Sequence, residues 1–172
     1  MINPFKKSYS IKELNLFRSL SRVKPFERLN YEEMAMFIPH LYLREYKLDE
    51  AVFFRNDPSN AFYIVKSGKV SLNIDINKSF EVLQVLKSGG YFGHNAFLEN
   101  SIRVYSVIIT SEICELYVLP KVNIMEIFDR RARIRAKMMT SIAELYNEFN
   151  YKIFSTYRSS LGFFNLSDAY QK

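Results

Sequence analysis

Three of the chain's five glycines, Gly89, Gly90 and Gly93, fall within five residues, and an arginine, Arg103, follows the last of them by ten positions. Glycine concentrates where the backbone must take φ > 0 or approach something closely. After Gly93 a short run, Asn95 to Leu98, has the length of one helical turn. Asn100-Ser101 breaks it, and Arg103 opens an alternating apolar stretch, Val104 to Ile109. A glycine turn feeding a helix start, with an arginine returning to it, makes an anion cradle. Bare N–H groups and the positive end of the helix dipole face one way, and a guanidinium closes the other side.

Other chemistries find little to work with. The only histidines are His40 and His94, so no three- or four-ligand metal set is available. There is no nucleophile-base arrangement and no Walker loop, so no catalytic residue and no metal site is assigned and an enzyme is not expected. With 172 residues, 48% hydrophobic and 24% charged, the chain fits one domain with appended helices and buries a real core. Net charge is +6 with a pI near 9.3, a balance read as solubility rather than as a mark of an acidic partner. A single cysteine, Cys114, excludes a disulfide framework and fits a reducing, cytoplasmic setting. The first ten residues, MINPFKKSYS, lack the apolar segment of a signal peptide. No apolar run approaches the roughly 18 residues of a membrane span.

The elements that must position the cradle follow from periodicity. Ser10 to Val23 reads as an amphipathic helix with a Ser10–Glu13 capping box, ended by Pro25. Asn30 caps a second helix with Glu33 three residues on, and Pro39 stops it. From Leu41 to Leu119 the period changes to short runs rich in Val, Ile, Tyr and Phe, near 41–47, 51–54, 61–66, 69–75, 80–86, 104–110 and 113–119. Such spacing predicts an antiparallel sandwich or roll. Pro120 closes the strands and Lys121 to Arg131 forms a short helix. Ile134, Met138, Ile142, Leu145, Phe149, Ile153 and Tyr157 then recur at steps of three or four, predicting one long helix of roughly 35 Å. Gly162 ends it, and a short tail follows. The chain therefore divides into a helical segment 1–40, a β-rich unit 41–119 and C-terminal helices 120–172.

Phe92, Gly93, Ala96 and Arg103 stand at the spacing of the F-G-E-x-A-L…R-x-A cassette, and Phe53 to Val70 carries a matching strand and Ser-Gly-x-Val turn. In these residues the chain resembles the cyclic nucleotide-binding domain of bacterial catabolite-activator-type regulators, kinase regulatory subunits and gated channels. The resemblance implies an α+β fold: an antiparallel β-roll (double-stranded β-helix or jelly roll) flanked by N-terminal helices and a long C-terminal helix. It also implies a ligand, cAMP or cGMP, with Arg103 on the exocyclic phosphate and the N–H groups of Asn95 and Ala96 beside it. His94 stands where the family has glutamate, which accepts the ribose 2′-OH. As a neutral imidazole it offers one acceptor nitrogen, or it is a surface-facing loop residue. Val104 stands where many bacterial members have serine, and Tyr105 where a small residue is usual. Tyr105 either fills part of the pocket, points outward or stacks on a base. The candidate ligand-binding set is thus Phe92, Gly93, His94, Asn95, Ala96, Arg103, Val104 and Tyr105. Asn56 replaces a family glycine and tolerates φ > 0.

Two functions remain open at this point. One is a cytoplasmic sensor that relays nucleotide occupancy to the long helix. The other is a degenerate fold that binds no nucleotide and serves as a dimerisation or protein-interaction module. The apolar seam over 134–157 predicts a homodimer coil, against the alternative of a helix folded back on its own domain. Past Gly162 too few residues remain for a DNA-reading helix-turn-helix, and the basic run Arg130, Arg131, Arg133, Arg135 and Lys137 spreads round a helix as a solvated face.

Overall fold

Strand parity decides where the two cores lie. The run Ala61–Val65 is buried at every position, because the strand that carries it has a core on each side. Ala61, Tyr63 and Val65 join a cluster with Phe53, Val70, Leu72, Phe92, Val107, Ile109, Cys114 and Leu116 inside the roll. Phe62 and Ile64 turn the other way, onto Phe17, Leu20, Phe26, Ile124, Phe128 and Met138 of the helices. A continuous apolar run is what a strand buried on both faces requires.

The computed structural model describes residues 8–76 and 79–160. Among the described residues eight strands form two four-stranded antiparallel sheets: β1 (Tyr42–Lys47), β2 (Ala51–Phe53), β3 (Ala61–Ser67), β4 (Lys69–Ile76), β5 (Ser79–Lys87), β6 (Tyr91–Phe92), β7 (Ser106–Ile109) and β8 (Ile113–Pro120). One sheet has the order β1-β8-β3-β6 and the other β2-β7-β4-β5, so apart from the β4–β5 hairpin the chain passes from layer to layer as a roll does. Seven of the strands lie where the periodicity put them. β6, two residues long, was not expected, since it is too short to carry a period. The helices are α1 (Ile11–Leu20), α2 (Tyr31–Ala35), α3 (Lys121–Arg130) and α4 (Ala132–Ser160), with 3₁₀ turns at Lys24–Phe26, Ile38–His40 and His94–Phe97. Both capping boxes form: Glu13 N–H donates to Ser10 Oγ at 3.2 Å, and Glu33 N–H to Asn30 Oδ1 at 2.9 Å. α2 is shorter than expected, and Pro39 falls within a 3₁₀ turn rather than simply stopping a helix.

α4 uses its apolar seam in two ways. Ile134, Met138 and Ile142 bury against the helical core of their own domain, and Leu145 is buried as well. Lys137 Nζ donates to both oxygens of Glu33, tying α4 to α2. Further along, Phe149, Ile153 and Phe154 are 38%, 49% and 46% exposed. The expected seam over 134–157 is therefore folded back on its own domain in its first half, which corrects the expectation of one continuous coil. The ending at Gly162 and the tail lie outside the described residues.

Asn56 takes φ 72° as expected of a left-handed turn position. Its amide donates to the Arg103 carbonyl at 2.9 Å, and the Arg103 amide donates to the Asp57 carbonyl at 2.9 Å. Pro58 bridges Ile102. The 55–60 loop is thus the splint that fixes the backbone at Arg103.

Candidate functional site

The cassette is a left-handed glycine, a single 3₁₀ turn and a buried arginine. Gly93 takes φ 76° and caps the turn His94–Phe97. A Cβ at Gly93 would lie 2.7 Å from Arg103 Nη1 and 3.0 Å from the Ala61 carbonyl oxygen. Glycine is needed there twice over, for its φ and for the close approach of the guanidinium.

Arg103 is 2% exposed. Its Nη2 donates to the Ala61 carbonyl at 2.8 Å and its Nη1, at a longer 3.4 Å, to that of Gly93. The guanidinium carbon lies 4.0 Å above the Phe53 ring and 5.7 Å from that of Tyr63. Nε has no partner. Among the described residues no carboxylate pairs with it. Burial pulls its pKa down, opposed in part by Tyr63, Tyr105 and the more remote Asp57, yet an arginine stays protonated in proteins. The site therefore holds a buried positive charge with carbonyl dipoles and aromatic faces around it but no counterion. A second buried donor without a partner, the Tyr146 hydroxyl on α4, lies on the same side, with its ring 5.3 Å from that of His94.

Tyr105 turns inward beside Arg103. Its hydroxyl accepts the Gly93 amide at 3.1 Å, and its ring packs 6.0 Å from that of Phe53. Gly93 is thus held at both ends, its N–H by Tyr105 and its carbonyl by Arg103. Burial raises the Tyr105 pKa against the pull of the Gly93 amide and the Arg103 charge, so the phenol stays protonated.

His94 is buried, not surface-facing. Its ring stacks on Phe149 with centroids 5.6 Å apart and meets Tyr146 edge-on. Burial, and secondarily the positive charge of Arg103, lowers its pKa to about 4. The imidazole is neutral at pH 7, and it clasps the cassette to α4.

The remaining predicted residues are dispersed. Val104 is 54% exposed and points away from Arg103 and Tyr105. Phe92 is core, stacked on Tyr63 at 5.0 Å and 4°. Ala96 is fully buried in the helical core, and its N–H is spent on the Gly93 carbonyl at 3.0 Å, which closes the turn rather than facing outward. The Asn95 carbonyl accepts the Ser101 hydroxyl. The structure brings Gly93, Arg103, Tyr105 and His94 together and adds Phe53 and Tyr63 from the strands, Phe149 from the seam, and Tyr146, which the sequence reading did not single out. Their signal was available for Tyr63, whose aromatic stands at a fixed offset before Ser67-Gly68. The α4 pair carried none, because helix periodicity does not say which surface a seam covers. Among the described residues no cluster of three or more His, Cys, Asp or Glu could hold a metal, and no helix is long and apolar enough to cross a membrane.

Residues 43–131 match the cyclic nucleotide-binding domain family. Over 88 residues, 51% of the chain, the sequence is 35% identical to a cAMP-dependent protein kinase regulatory subunit of Mycosarcoma maydis; the matching stretch spans 17% of that protein. The fold superposes with a TM-score of 0.63 on the regulatory domain of Toxoplasma gondii PKA, solved as a co-crystal with cAMP, at 23% identity, over 70% of this chain and 46% of that one. The Thermus thermophilus catabolite activator protein gives a TM-score of 0.65 at 22% identity, over 77% of this chain and 62% of that one. The chain therefore spans less than two thirds of each of these proteins, and the two structures speak for the fold.

Proposed function

Because the chain belongs to the cyclic nucleotide-binding domain family, we propose that it is a regulatory sensor taking the cyclic phosphate of cAMP or cGMP at Arg103. The observation that carries this reading is the buried guanidinium without a counterion. An ion withdrawn from water costs several kcal/mol after relaxation, and carbonyl bonds and ring faces return only part of that. A phosphate supplies the missing charge and an acceptor for Nε. The cAMP-dependent kinase regulatory subunit among its relatives supports the same ligand class.

Occupancy passes to α4 through His94, whose ring rests on Tyr146 and Phe149. The exposed stretch of α4 around Ile153 is the surface on which a second copy or a protein partner reads the state. The role is regulatory and cytoplasmic, without catalysis. Calorimetry with cAMP and with cGMP tests it: the wild type binds at least one of them, and Arg103→Ala abolishes the heat. A second reading, an interaction module that takes no nucleotide, is favoured by the Tyr105 hydroxyl already seated on the Gly93 amide. No heat from either nucleotide at millimolar concentration leaves that reading alone.

A further inference from the structure

We infer that Tyr105 is an internal occupant of the anion site, sitting where a bound phosphate must go and setting the affinity by competition. The inference rests on the sensor reading above. Its grounds are geometric. The Tyr105 hydroxyl takes the Gly93 amide, while Arg103 Nη1 holds the carbonyl of the same glycine. The Tyr105 ring leans on Phe53, the same ring that covers the guanidinium. Arg103 Nε, beside it, is left without an acceptor. A phenol hydroxyl satisfies one amide, but it carries no charge and leaves the guanidinium uncompensated. The tyrosine thus seals the cradle against water and adventitious anions without neutralising it. A ligand must displace the hydroxyl from Gly93 and bring the charge that the tyrosine lacks.

The backbone makes the displacement local. Tyr105 precedes β7 (Ser106–Ile109) and sits in the segment from Ser101 to Tyr105 that packs against the 55–60 loop. Its hydroxyl contact with Gly93 is a single bond at 3.1 Å outside any sheet ladder, so losing it costs the hydroxyl one partner while the ring keeps its place in the core beside Phe53. Neutral ligands of the same shape gain nothing from the exchange, and the tyrosine becomes a filter for charge.

The test uses the full chain, with cAMP, cGMP and inorganic phosphate titrated into wild type, Tyr105→Phe and Tyr105→Ala, each first shown folded by circular dichroism. Tyr105→Phe keeps the ring against Phe53 and removes only the hydroxyl. Several-fold tighter nucleotide binding is expected for Tyr105→Phe and at least tenfold for Tyr105→Ala, with phosphate binding measurably to Tyr105→Ala alone. An amide spectrum in which the Gly93 proton shifts on going to Tyr105→Phe, and shifts again on saturation with nucleotide, supports the same exchange. Nucleotide binding that is unchanged or weaker in folded Tyr105→Phe overturns the inference while the sensor reading stands, since the tyrosine is then a ligand contact or a bystander. No binding to any of the three proteins overturns both.

Discussion

His94 predicts an acid-sensitive stability that the carboxylates cannot mimic. Burial against α4, reinforced by the nearby Arg103 charge, lowers its pKa from 6.5 to about 4. The unfolded chain therefore binds a proton in a range where the folded protein refuses one. A histidine depressed in this way contributes its full stability above pH 6.5 and loses it as the pH falls from 6.5 towards 4. Each pH unit inside that window is worth at most about 1.4 kcal/mol, so the difference between pH 7 and pH 5 is about 2 kcal/mol. For a chain of this size that lowers the melting temperature by roughly 4–8 °C. Carboxylates act elsewhere on the scale. At Glu33 burial raises the pKa, but Lys137 and the Asn30 amide overcome it and hold the group below the usual 4.5, so its share is lost only under that value. Thermal melts of wild type and His94→Gln at pH 7 and pH 5 isolate the effect: the wild type drops and His94→Gln does not. Equal drops in the two proteins would refute the burial argument. The drop should be accompanied by faster amide exchange in α4 around Tyr146 to Phe149, because a charged imidazole leaves those two rings first.

Two glycines separate conformational cost from steric cost. Gly68 and Gly89 share φ 85°, but a Cβ at Gly68 would meet the Ile113 carbonyl oxygen at 2.6 Å while one at Gly89 meets nothing within 4 Å. Gly89→Ala should cost about 1 kcal/mol, the price of a left-handed residue alone. Gly68→Ala should cost on the order of 3 kcal/mol, because backbone must move; urea unfolding measures both, and equal losses contradict the distinction. At the far end of α4, Ile153→Glu should convert a dimer to a monomer in light scattering while leaving the melting temperature within about 2 °C, since Ile153 is not part of the domain core. A wild type that is monomeric at high concentration removes the dimer. Ile142→Ala, by contrast, empties a fully packed position on the same helix and should cost roughly 2–4 kcal/mol in urea unfolding.

The roll was legible because β-runs, turn clusters and caps all carry local signals. Ser10 with Glu13 and Asn30 with Glu33 needed only a spacing of three to declare two helix starts, and both boxes formed. The site was only half legible. Arg103 and Gly93 were found by type and spacing. The orientation of Tyr105 was left open, yet parity contained it: Arg103, Tyr105, Val107 and Ile109 are all buried and Val104 is exposed, the alternation being broken at Ser106, whose hydroxyl accepts the Arg55 amide. An arginine facing inward at one position of a period-two stretch turns the tyrosine two places on inward with it. The same parity removes Val104 from the pocket. What no local rule supplied was the cover on the His94 side. That depends on how α4 crosses the roll, and its seam looks alike whether it meets its own domain or another copy. The first half is settled by long-range packing against α2 and the Lys24–Phe26 turn, where Lys137–Glu33 and Lys24–Glu144 ion pairs fix the crossing.

Two of the departures from the cassette pattern, His94 and Tyr105, belong together physically. A glutamate at position 94 would place a carboxylate near Arg103 and share in its charge. The neutral His94 gives nothing, and burial keeps it from ionising. Among the described residues the guanidinium is then in contact with dipoles and π-faces, two carbonyls, the Phe53 ring at 4.0 Å and the more distant Tyr63 ring, and Asp57 acts on it only from beyond ion-pair distance. Such partners stabilise a buried cation by about 2 kcal/mol per desolvated ring, less than a full opposite charge at contact. Replacing the glutamate thus leaves Arg103 with a stronger demand for an anion, and placing Tyr105 over Gly93 raises the threshold for meeting it. A site with a steeper demand behind a higher threshold discriminates by charge more sharply than one that is open and half-neutralised. The salt dependence of nucleotide binding should accordingly be shallow, because the charges that meet do so in a buried pocket where screening by mobile ions hardly reaches.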